Sequence, residues 1–200
     1  RALLDREARH DPLTGLPERR SLERQLDRVF ADCLEDGSSM AVVMCDLDRF
    51  KRINDRIGHA AGDQALIAIA RLMEDHRRET DLCCRYGGEE FALVLERTDG
   101  ETALRVAERL RAAVQQLAFV VRDRKVPLRI SAGVAAFPEI QVKSPQDLLT
   151  LADDALYEAK RQGRNRCLLN VGRNRFVDVD GDFTDDDDPQ QKLEVPTLFG

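Results

Sequence analysis

Two short apolar runs on either side of a Gly-Gly pair constrain the fold of this 200-residue chain more than any other feature. Leu82-Cys-Cys-Arg-Tyr86 and Phe91-Ala-Leu-Val-Leu95 flank Gly87-Gly88, and glycine tolerates the backbone angles of a tight turn. The segment therefore predicts a β-hairpin, which brings an antiparallel pair of strands into the fold.

Helical and strand-like patterns alternate along the rest of the chain. The helical segments are residues 22–30, a stretch from about Gly62, residues 102–117, and a stretch that begins at Ser144-Pro145 and ends by Gly163. The strand-like segments outside the hairpin are residues 40–45, 126–137 and 167–169. One hairpin within such alternation predicts an α+β fold, in which helices cover a mixed, mainly antiparallel sheet, rather than a doubly wound Rossmann sheet.

The charge of the chain is unevenly distributed. The formal net charge is −6, but residues 176–200 contain eight acidic residues and one lysine, so residues 1–175 carry a net charge of +1. A nearly neutral body argues against a strongly basic nucleic-acid clamp and leaves no bulk negative charge to repel a small anionic substrate. We therefore expect no nucleic-acid partner.

Hydropathy and cysteine usage indicate the compartment. No apolar run approaches the roughly 20 residues that a membrane-spanning helix needs, so we expect no membrane contact from this chain. The five cysteines are an odd number without a Cys-x-x-Cys pair, which argues against a disulfide framework and a zinc site. We expect a cytoplasmic domain, whose parent protein could still be anchored in a membrane through regions outside this chain.

Three segments of different character follow one another. The chain opens at Arg1 without a signal-peptide pattern, which is typical of a fragment of a longer protein. Residues 1–10 are charged and helix-prone, and we predict that they end a signalling helix or linker. Residues 11–170 form the predicted domain. Residues 171–200 are acidic, and we expect them to be disordered and their removal to leave activity largely intact.

Acidic residues follow the predicted buried strand and the hairpin turn. Asp46 ends the 40–45 strand, and on its own it is equally typical of a surface turn. Glu89 and Glu90 follow Gly87-Gly88. If the hairpin lies beside the Asp46 strand, Asp46 and Glu89 converge on a hard cation such as Mg²⁺, which prefers oxygen ligands.

A second group of candidates is cationic. Lys160 and Arg164 lie one helical turn apart at the end of the last predicted helix, so their side chains project from one face. Such a pair is usually solvated helix surface. Together with Lys51 it could instead neutralise a triphosphate.

Several motifs occur together and in one order. They are Asp46-x-Asp48-x-Phe50-Lys51-x-x-Asn54-Asp55, Gly58-His59-x-x-Gly62-Asp63, Gly87-Gly88-Glu89-Glu90-Phe91, and Ala152-Asp-Asp-Ala-Leu-Tyr157-x-Ala-Lys160-x-x-Gly-Arg164-Asn165. With Asp11-Pro-Leu-Thr14-Gly-Leu-Pro17 and Ser131-Ala-Gly-Val134, they resemble the GGDEF catalytic domain of diguanylate cyclases over roughly residues 11–170.

This resemblance implies a fold and a reaction. The fold is a nucleotidyl-cyclase or polymerase-like palm with a ferredoxin-like core. The reaction condenses two GTP into cyclic di-GMP and two pyrophosphates between two facing subunits, with Mg²⁺ as cofactor and Mn²⁺ as an alternative. By position, Asp46, Glu89 and the Leu47 carbonyl bind the metal, Glu89 eases deprotonation of the attacking 3′-hydroxyl, and Glu90 supports it.

The resemblance also assigns the substrate positions. Asn54 and Asp63 match the guanine-reading positions, where an adenine would leave them mispaired. Lys51, Lys160 and Arg164 match the phosphate positions. The remaining substrate positions are Phe50, His59, Gly87 and Gly88, and we expect His59 to order its loop rather than to perform acid–base chemistry.

Two further features concern regulation and departure from the family. Arg78-Glu79-Thr80-Asp81 resembles the RxxD inhibitory site, at which the product cyclic di-GMP binds, and at this distance before Gly87 we favour that interpretation over a charged loop that ends a helix. Glu18 stands where the family commonly has Asn, a change expected to affect a helix cap.

The sequence leaves two other functions open. Because one subunit brings one nucleotide, a ring with two phosphodiester bonds needs a homodimer. A non-catalytic module that binds GTP or cyclic di-GMP would not need a homodimer. Such a module would also not need both Asp46 and Glu89. Another nucleotide cyclase or polymerase palm is disfavoured by Asn54 and Asp63.

Overall fold

A mixed β-sheet forms the centre of the fold in the computed structural model, which describes residues 10–181 and, as backbone alone, residues 183–184. The helices are α1 (Arg19–Asp36), α2 (Phe50–Ile57), α3 (His59–His76), α4 (Gly100–Gln116) and α5 (Pro145–Arg161). The strands are β1 (Met40–Leu47), β2 (Leu82–Gly87), β3 (Glu90–Glu96), β4 (Val120–Val121), β5 (Arg124–Lys125), β6 (Ile130–Phe137), β7 (Cys167–Asn170), β8 (Phe176–Val177) and β9 (Phe183–Thr184).

The strand order confirms the predicted fold class. The central sheet runs β2-β3-β1-β6-β7-β8-β9, and β4 and β5 form a separate hairpin. β6 and β7 are parallel, whereas the other neighbours in the sheet are antiparallel. β2 and β3 form the predicted hairpin, and β3 pairs directly with β1. The architecture is α+β, with helices on both faces of the sheet.

Strand β1 lies between two apolar layers. Ala41, Val43 and Cys45 pack in the layer that contains α3 and α4. Met40, Val42 and Met44 pack in the opposite layer, with α1 and α5. Because side chains alternate along a strand and both faces are covered, β1 reads as a continuous apolar run, as predicted for a strand that is buried on both faces.

Gly133 fixes the distance between α5 and the sheet. A Cβ atom at this position would lie 2.1 Å from the backbone oxygen of Ala152 and 2.1 Å from the backbone nitrogen of Leu156, both on α5. Only glycine therefore permits this close approach. The end of α5, which carries Lys160, is thereby held against β1 and β6.

The caps of the helices follow local sequence signals. Ser144 accepts a hydrogen bond from the Asp147 N–H, and Asp147 accepts one from the Ser144 N–H, which completes a capping box. The departure from the family at Glu18 has the expected effect, since Glu18 is the N-cap of α1 and makes no side-chain cap hydrogen bond.

Two elements differ from the sequence-based prediction. The short helix α2 was not predicted from the sequence, although Phe50, Ile53 and Ile57 recur at helical spacing and pack against the core. The strand predicted over residues 126–137 begins only at Ile130, after the β4–β5 hairpin. That hairpin turns at Arg122 and Asp123, which both have positive φ without the glycine that usually marks such a turn.

The prediction of disorder beyond Asn170 is wrong for the first residues of that segment. β8 pairs with β7 through Leu169–Val177 and Asn170–Phe176. The Phe176 side chain is 7% exposed and packs with Ala155, Ala159 and Leu168. Residues 1–9, 182 and 185–200 lie outside the described residues, and so do nearly all of the predicted signalling helix and most of the acidic tail.

Candidate active site at the end of the central strands

The acidic residues singled out in the sequence lie at the same end of the sheet. Asp46 lies opposite Glu90 in the β1–β3 register. The Leu47 N–H donates to the backbone oxygen of Glu89 at 3.2 Å. The hairpin therefore lies beside the strand that carries Asp46, as the predicted convergence of Asp46 and Glu89 requires.

Asp46 is the most electrostatically perturbed of these acids. Its side chain is 10% exposed, and its Oδ2 lies 2.9 Å from the Lys160 Nζ. Burial raises the pKa of Asp46 to about 6 against the opposing effect of Lys160, and the charges of Glu89 and Glu90 raise it further. Negative charge is thus concentrated where a cation would be stabilised.

The donor set suits a hard divalent cation. Among the described residues, no three His, Cys, Asp or Glu side chains lie close enough together to bind one metal ion. The Asp46 and Glu89 carboxylates with the Leu47 carbonyl supply only part of an octahedral shell. Mg²⁺ commonly binds through one or two carboxylates and completes its shell with water and substrate phosphates, so this oxygen set fits it.

Arg85 fixes the tip of the hairpin. Its Nε and Nη2 donate to the Gly88 carbonyl at 3.0 and 2.7 Å. Its Nη1 donates to both carboxylate oxygens of Asp11, at 2.9 and 3.1 Å. The sequence did not predict this role of Arg85, since its partner Asp11 is 74 residues away and no local signal links the two.

Asp11 is itself held by its own turn. Its Oδ2 accepts hydrogen bonds from the Thr14 N–H at 2.7 Å and from the Thr14 hydroxyl at 2.6 Å. The Arg85 N–H donates to the Pro17 carbonyl, so the backbone of this segment also contacts β2. The 11–17 turn therefore braces the hairpin that carries Glu89 and Glu90.

Gly87 leaves room for Glu90. A Cβ atom at position 87 would lie 3.0 Å from the Glu90 Oε2, closer than side-chain carbons normally approach. In contrast, a Cβ atom at Gly88 would meet no atom within 4 Å. Of the two glycines, Gly87 is therefore the one at which a side chain would displace the Glu90 carboxylate.

Asn54 on α2 presents an unpaired acceptor. Its Oδ1 is buried and has no hydrogen-bond partner among the described residues. A Cβ atom at Gly62 would lie 1.9 Å from that oxygen and 3.1 Å from the Phe50 ring, so a side chain at position 62 would force the Asn54 amide to move. A buried acceptor without a partner is costly unless a ligand satisfies it.

The other substrate candidates are exposed around this group. His59 and Asp63 lie on the first two turns of α3, and Lys51 lies on α2. Lys51 and Asp63 make no side-chain hydrogen bond or ion pair in the part of the chain that the structure describes. Arg164 is exposed and has φ of 68°, just beyond α5. The structure brings Lys160, but not Lys51 or Asp63, into contact with the acids.

Asp48 has a different role from Asp46. Its Oδ1 accepts from the Ser131 hydroxyl at 2.7 Å, and its Oδ2 accepts from the Asn165 N–H at 2.9 Å. Burial raises the pKa of Asp48, and these hydrogen bonds oppose that effect. Asp48 therefore joins β1, β6 and the loop that carries Arg164, a function that the sequence did not reveal.

The Arg78–Asp81 tetrapeptide forms a turn after α3. Asp81 is buried and its Oδ2 accepts from the Arg78 N–H at 3.1 Å, while Arg78 is exposed. The other Asp81 oxygen, Oδ1, is buried and has no hydrogen-bond partner among the described residues. Asp81 thus shapes a loop that presents the Arg78 side chain to solvent.

Comparison with known proteins identifies the family. The sequence model of the "Diguanylate cyclase, GGDEF domain" family matches residues 8–166. This chain belongs to the GGDEF family. Its GGDEF domain carries the signature as Gly87-Gly88-Glu89-Glu90-Phe91.

Curated relatives of this GGDEF domain are longer than the chain. Diguanylate cyclase TpbB of Pseudomonas aeruginosa is 43% identical over 178 residues, which cover 88% of this chain and 41% of that protein. Diguanylate cyclase DgcM of Escherichia coli is 40% identical over 165 residues, which cover 82% of this chain and 39% of that protein. The chain thus spans about two fifths of the length of these relatives.

Solved GGDEF domains share the fold. The GGDEF domain of TpbB from P. aeruginosa matches with a TM-score of 0.77 and 42% identity, over 81% of this chain and 94% of that one. The GGDEF domain of DgcB from Caulobacter crescentus, in complex with c-di-GMP, matches with a TM-score of 0.77 and 31% identity, over 84% of this chain and 98% of that one. In the described part of the present domain, no helix is long and apolar enough to cross a membrane.

Proposed function

We propose that this GGDEF domain is a diguanylate cyclase that condenses two GTP into cyclic di-GMP and two pyrophosphates in the cytoplasm, where GTP is available. The observation that carries the proposal is the position of Asp46 at the end of β1, next to Glu89 and Glu90 at the start of β3 and in contact with Lys160. The names of the relatives support it, since TpbB and DgcM are diguanylate cyclases.

The metal would bind to this chain's oxygen donors. Asp46, Glu89 and the Leu47 carbonyl hold Mg²⁺ or Mn²⁺ in this proposal. When bound, the cation offsets charge on the phosphates and acidifies the attacking hydroxyl. Lys160 now contacts the Asp46 carboxylate, and we expect it to transfer to a phosphate oxygen when the site is loaded.

The protein's side chains orient the substrate and take up the proton. Glu89 eases removal of the proton from the ribose 3′-hydroxyl. The neighbouring residue, Glu90, adds a second negative charge that favours this proton transfer. Lys51, Lys160 and Arg164 balance the charge of the triphosphate. Gly87 and Gly88 let the ribose and phosphates approach the backbone of the hairpin.

Asn54 supports the choice of guanine. Its buried Oδ1 has no partner among the described residues and accepts a hydrogen bond from a guanine N–H group, while the Asp63 carboxylate accepts a second. Adenine offers a different donor pattern at that edge and would leave the Asn54 oxygen unsatisfied. Phe50 packs beside Asn54, and His59 orders the start of α3.

The reaction requires two copies of the domain. Each copy contributes one GTP, one attacking hydroxyl and one α-phosphate, so two bonds form only when two half-sites face each other.

We further propose that cyclic di-GMP inhibits the enzyme at Arg78 and Asp81. The exposed guanidinium of Arg78 can bind phosphate or the guanine edge, and Asp81 holds the loop that displays it.

Turnover of GTP measured against protein concentration tests the cyclase proposal. We expect cyclic di-GMP and pyrophosphate as products in the presence of Mg²⁺, with specific activity that rises as the domain dimerises. The matched control is Glu89→Gln, which keeps the side-chain shape and should abolish turnover. No cyclic di-GMP from a demonstrated dimer of the intact domain would refute the proposal, and tight GTP or cyclic di-GMP binding without turnover would favour the binding-module alternative.

The inhibitory site has its own test. We expect Arg78→Ala to raise the cyclic di-GMP concentration required for half-inhibition by roughly tenfold or more, because a charge-assisted contact is lost. Uninhibited turnover should stay unchanged, since Arg78 lies outside the carboxylate site. An inhibition curve identical to that of the unaltered domain would remove Arg78 from the proposal.

A further inference from the structure

A basic cleft lies between α2 and the segment that leads into β6. Its volume is about 620 Å³. Arg49, Arg52 and Arg56 line the α2 side, and Arg124, Lys125 and Arg129 line the opposite side. We refer to the space between these two groups as the basic cleft.

Among the described residues, the cations of the basic cleft have no counter-ions. In the described part of the chain, none of these six side chains makes an ion pair or a side-chain hydrogen bond. Arginines elsewhere are paired with acids, for example Arg85 with Asp11 and Arg111 with Glu108. Like charges held together without counter-ions repel one another, so a bound anion would be strongly stabilised here.

The acid that lines the cleft, Asp48, is already engaged by the fold. Its two oxygens accept hydrogen bonds from the Ser131 hydroxyl and the Asn165 N–H. Asp48 keeps its charge, but it is one acid facing the six cations of the two walls, which therefore keep a net positive charge. Arginine guanidinium groups bind phosphate oxygens in a fork geometry, and a concave surface with charge of one sign concentrates its field.

We propose that the basic cleft binds a small polyphosphate anion of the pyrophosphate class. Cations on both walls suit a ligand that carries charge at two ends, more than they suit a single phosphate group. Arg164 also lines the cleft, so the cleft adjoins the residues assigned to the GTP phosphates. The anion site rests on charge and shape, whereas its use as a path for leaving pyrophosphate rests on the proposed cyclase function.

Titration calorimetry with inorganic pyrophosphate, without Mg²⁺ and at low ionic strength, tests the proposal. We expect saturable binding that weakens with added salt. The double variant R56A/R129A should bind about tenfold more weakly or worse, because two charge-assisted contacts are lost. The matched control is R28A/R105A, which removes two exposed arginines that pair with acids and should bind as the unaltered domain does.

A second variant separates the cleft from the proposed GTP site. K51A/K160A removes two of the assigned phosphate residues and should leave pyrophosphate binding at the basic cleft in place. The proposal is overturned if the unaltered domain does not bind pyrophosphate, if R56A/R129A binds it equally well, if K51A/K160A abolishes binding, or if orthophosphate binds as tightly.

The two proposals can fail separately. Pyrophosphate binding that depends on Arg56 and Arg129, in a domain that makes no cyclic di-GMP, would retain the anion site and remove the cyclase function. Cyclase activity in a domain that does not bind pyrophosphate at Arg56 and Arg129 would retain the cyclase function and remove the anion site. Thermal unfolding of each variant verifies that a loss of binding does not come from a loss of fold.

Discussion

Asp46 and Asp48 lie two residues apart at the end of β1, and both are buried, with 7% and 8% of their surfaces exposed. Their surroundings differ. The fold supplies fixed hydrogen-bond donors to Asp48 from Ser131 and the Asn165 backbone. Asp46 instead contacts the Lys160 ammonium, whose side chain is 30% exposed, and it lies near two further acids, Glu89 and Glu90.

This difference separates a structural carboxylate from one suited to a ligand. A buried charge is stabilised when rigid neighbours satisfy its oxygens, as at Asp48. At Asp46 the partner is the flexible Lys160 side chain, and the charges of Glu89 and Glu90 oppose ionisation of the Asp46 carboxyl. A divalent cation bound there would instead favour the ionised carboxylate. Burial alone would not have distinguished the two residues.

The largest expected effect is on catalytic activity, when Asp46 and Asp48 are each replaced by asparagine in separate variants. We expect Asp46→Asn to lower cyclic di-GMP formation by roughly a hundredfold or more, because a charged metal ligand is lost. We expect Asp48→Asn to be far milder, since the amide oxygen still accepts from the Asn165 N–H and the amide group can donate to Ser131. Steady-state turnover at saturating GTP and Mg²⁺ measures both, and equal losses would break the distinction.

Stability should show the opposite order. We expect Asp48→Ala to lower the free energy of unfolding by about 2 kcal/mol, because the buried Ser131 hydroxyl loses its acceptor and the Asn165 N–H keeps only the Ser131 oxygen, 3.1 Å away. Asp46→Ala should cost less, since the Lys160 head can move into solvent. Urea unfolding of the two variants under identical conditions measures this difference, and a larger loss for Asp46→Ala would assign it the structural role.

Local signals explain why much of the fold was predictable. The Gly87-Gly88 pair predicted the hairpin because the tight turn is encoded in two adjacent residues. Ser144-Pro145 predicted the start of α5, since a cap depends on contacts within one helical turn. The 40–45 run predicted a central strand because helices cover both of its faces.

Features that depend on distant contacts were missed. Arg85 and Asp11 are 74 residues apart, and nothing in either neighbourhood announces that they meet. Phe176 is one aromatic residue beside an acidic tail, and its burial against Ala155 and Ala159 appears only after β8 pairs with β7. The candidate acids were found through resemblance to a family, whereas the residues that hold them in position required the structure.

The smallest expected effect concerns a third carboxylate, Asp11, and its contribution to the free energy of unfolding. Burial alone would raise its pKa, but the hydrogen bonds from Thr14 and the contact with Arg85 outweigh it and lower the pKa below the usual value. A lowered pKa means that the ionised carboxylate stabilises the fold above its unfolded-state pKa of about 3.9, and that this contribution is lost as the pH falls through the folded-state pKa.

Unfolding between pH 7 and pH 3 tests this expectation. The domain should lose about 1 kcal/mol from Asp11 on acidification, an amount reduced by the partial exposure of the pair, and Asp11→Asn should flatten that part of the curve. Asp32→Asn, on the exposed face of α1, removes the same charge and serves as control. If both variants change the acid limb equally, the effect comes from net charge, and Asp11 does not belong with Asp48 among the carboxylates that the fold satisfies.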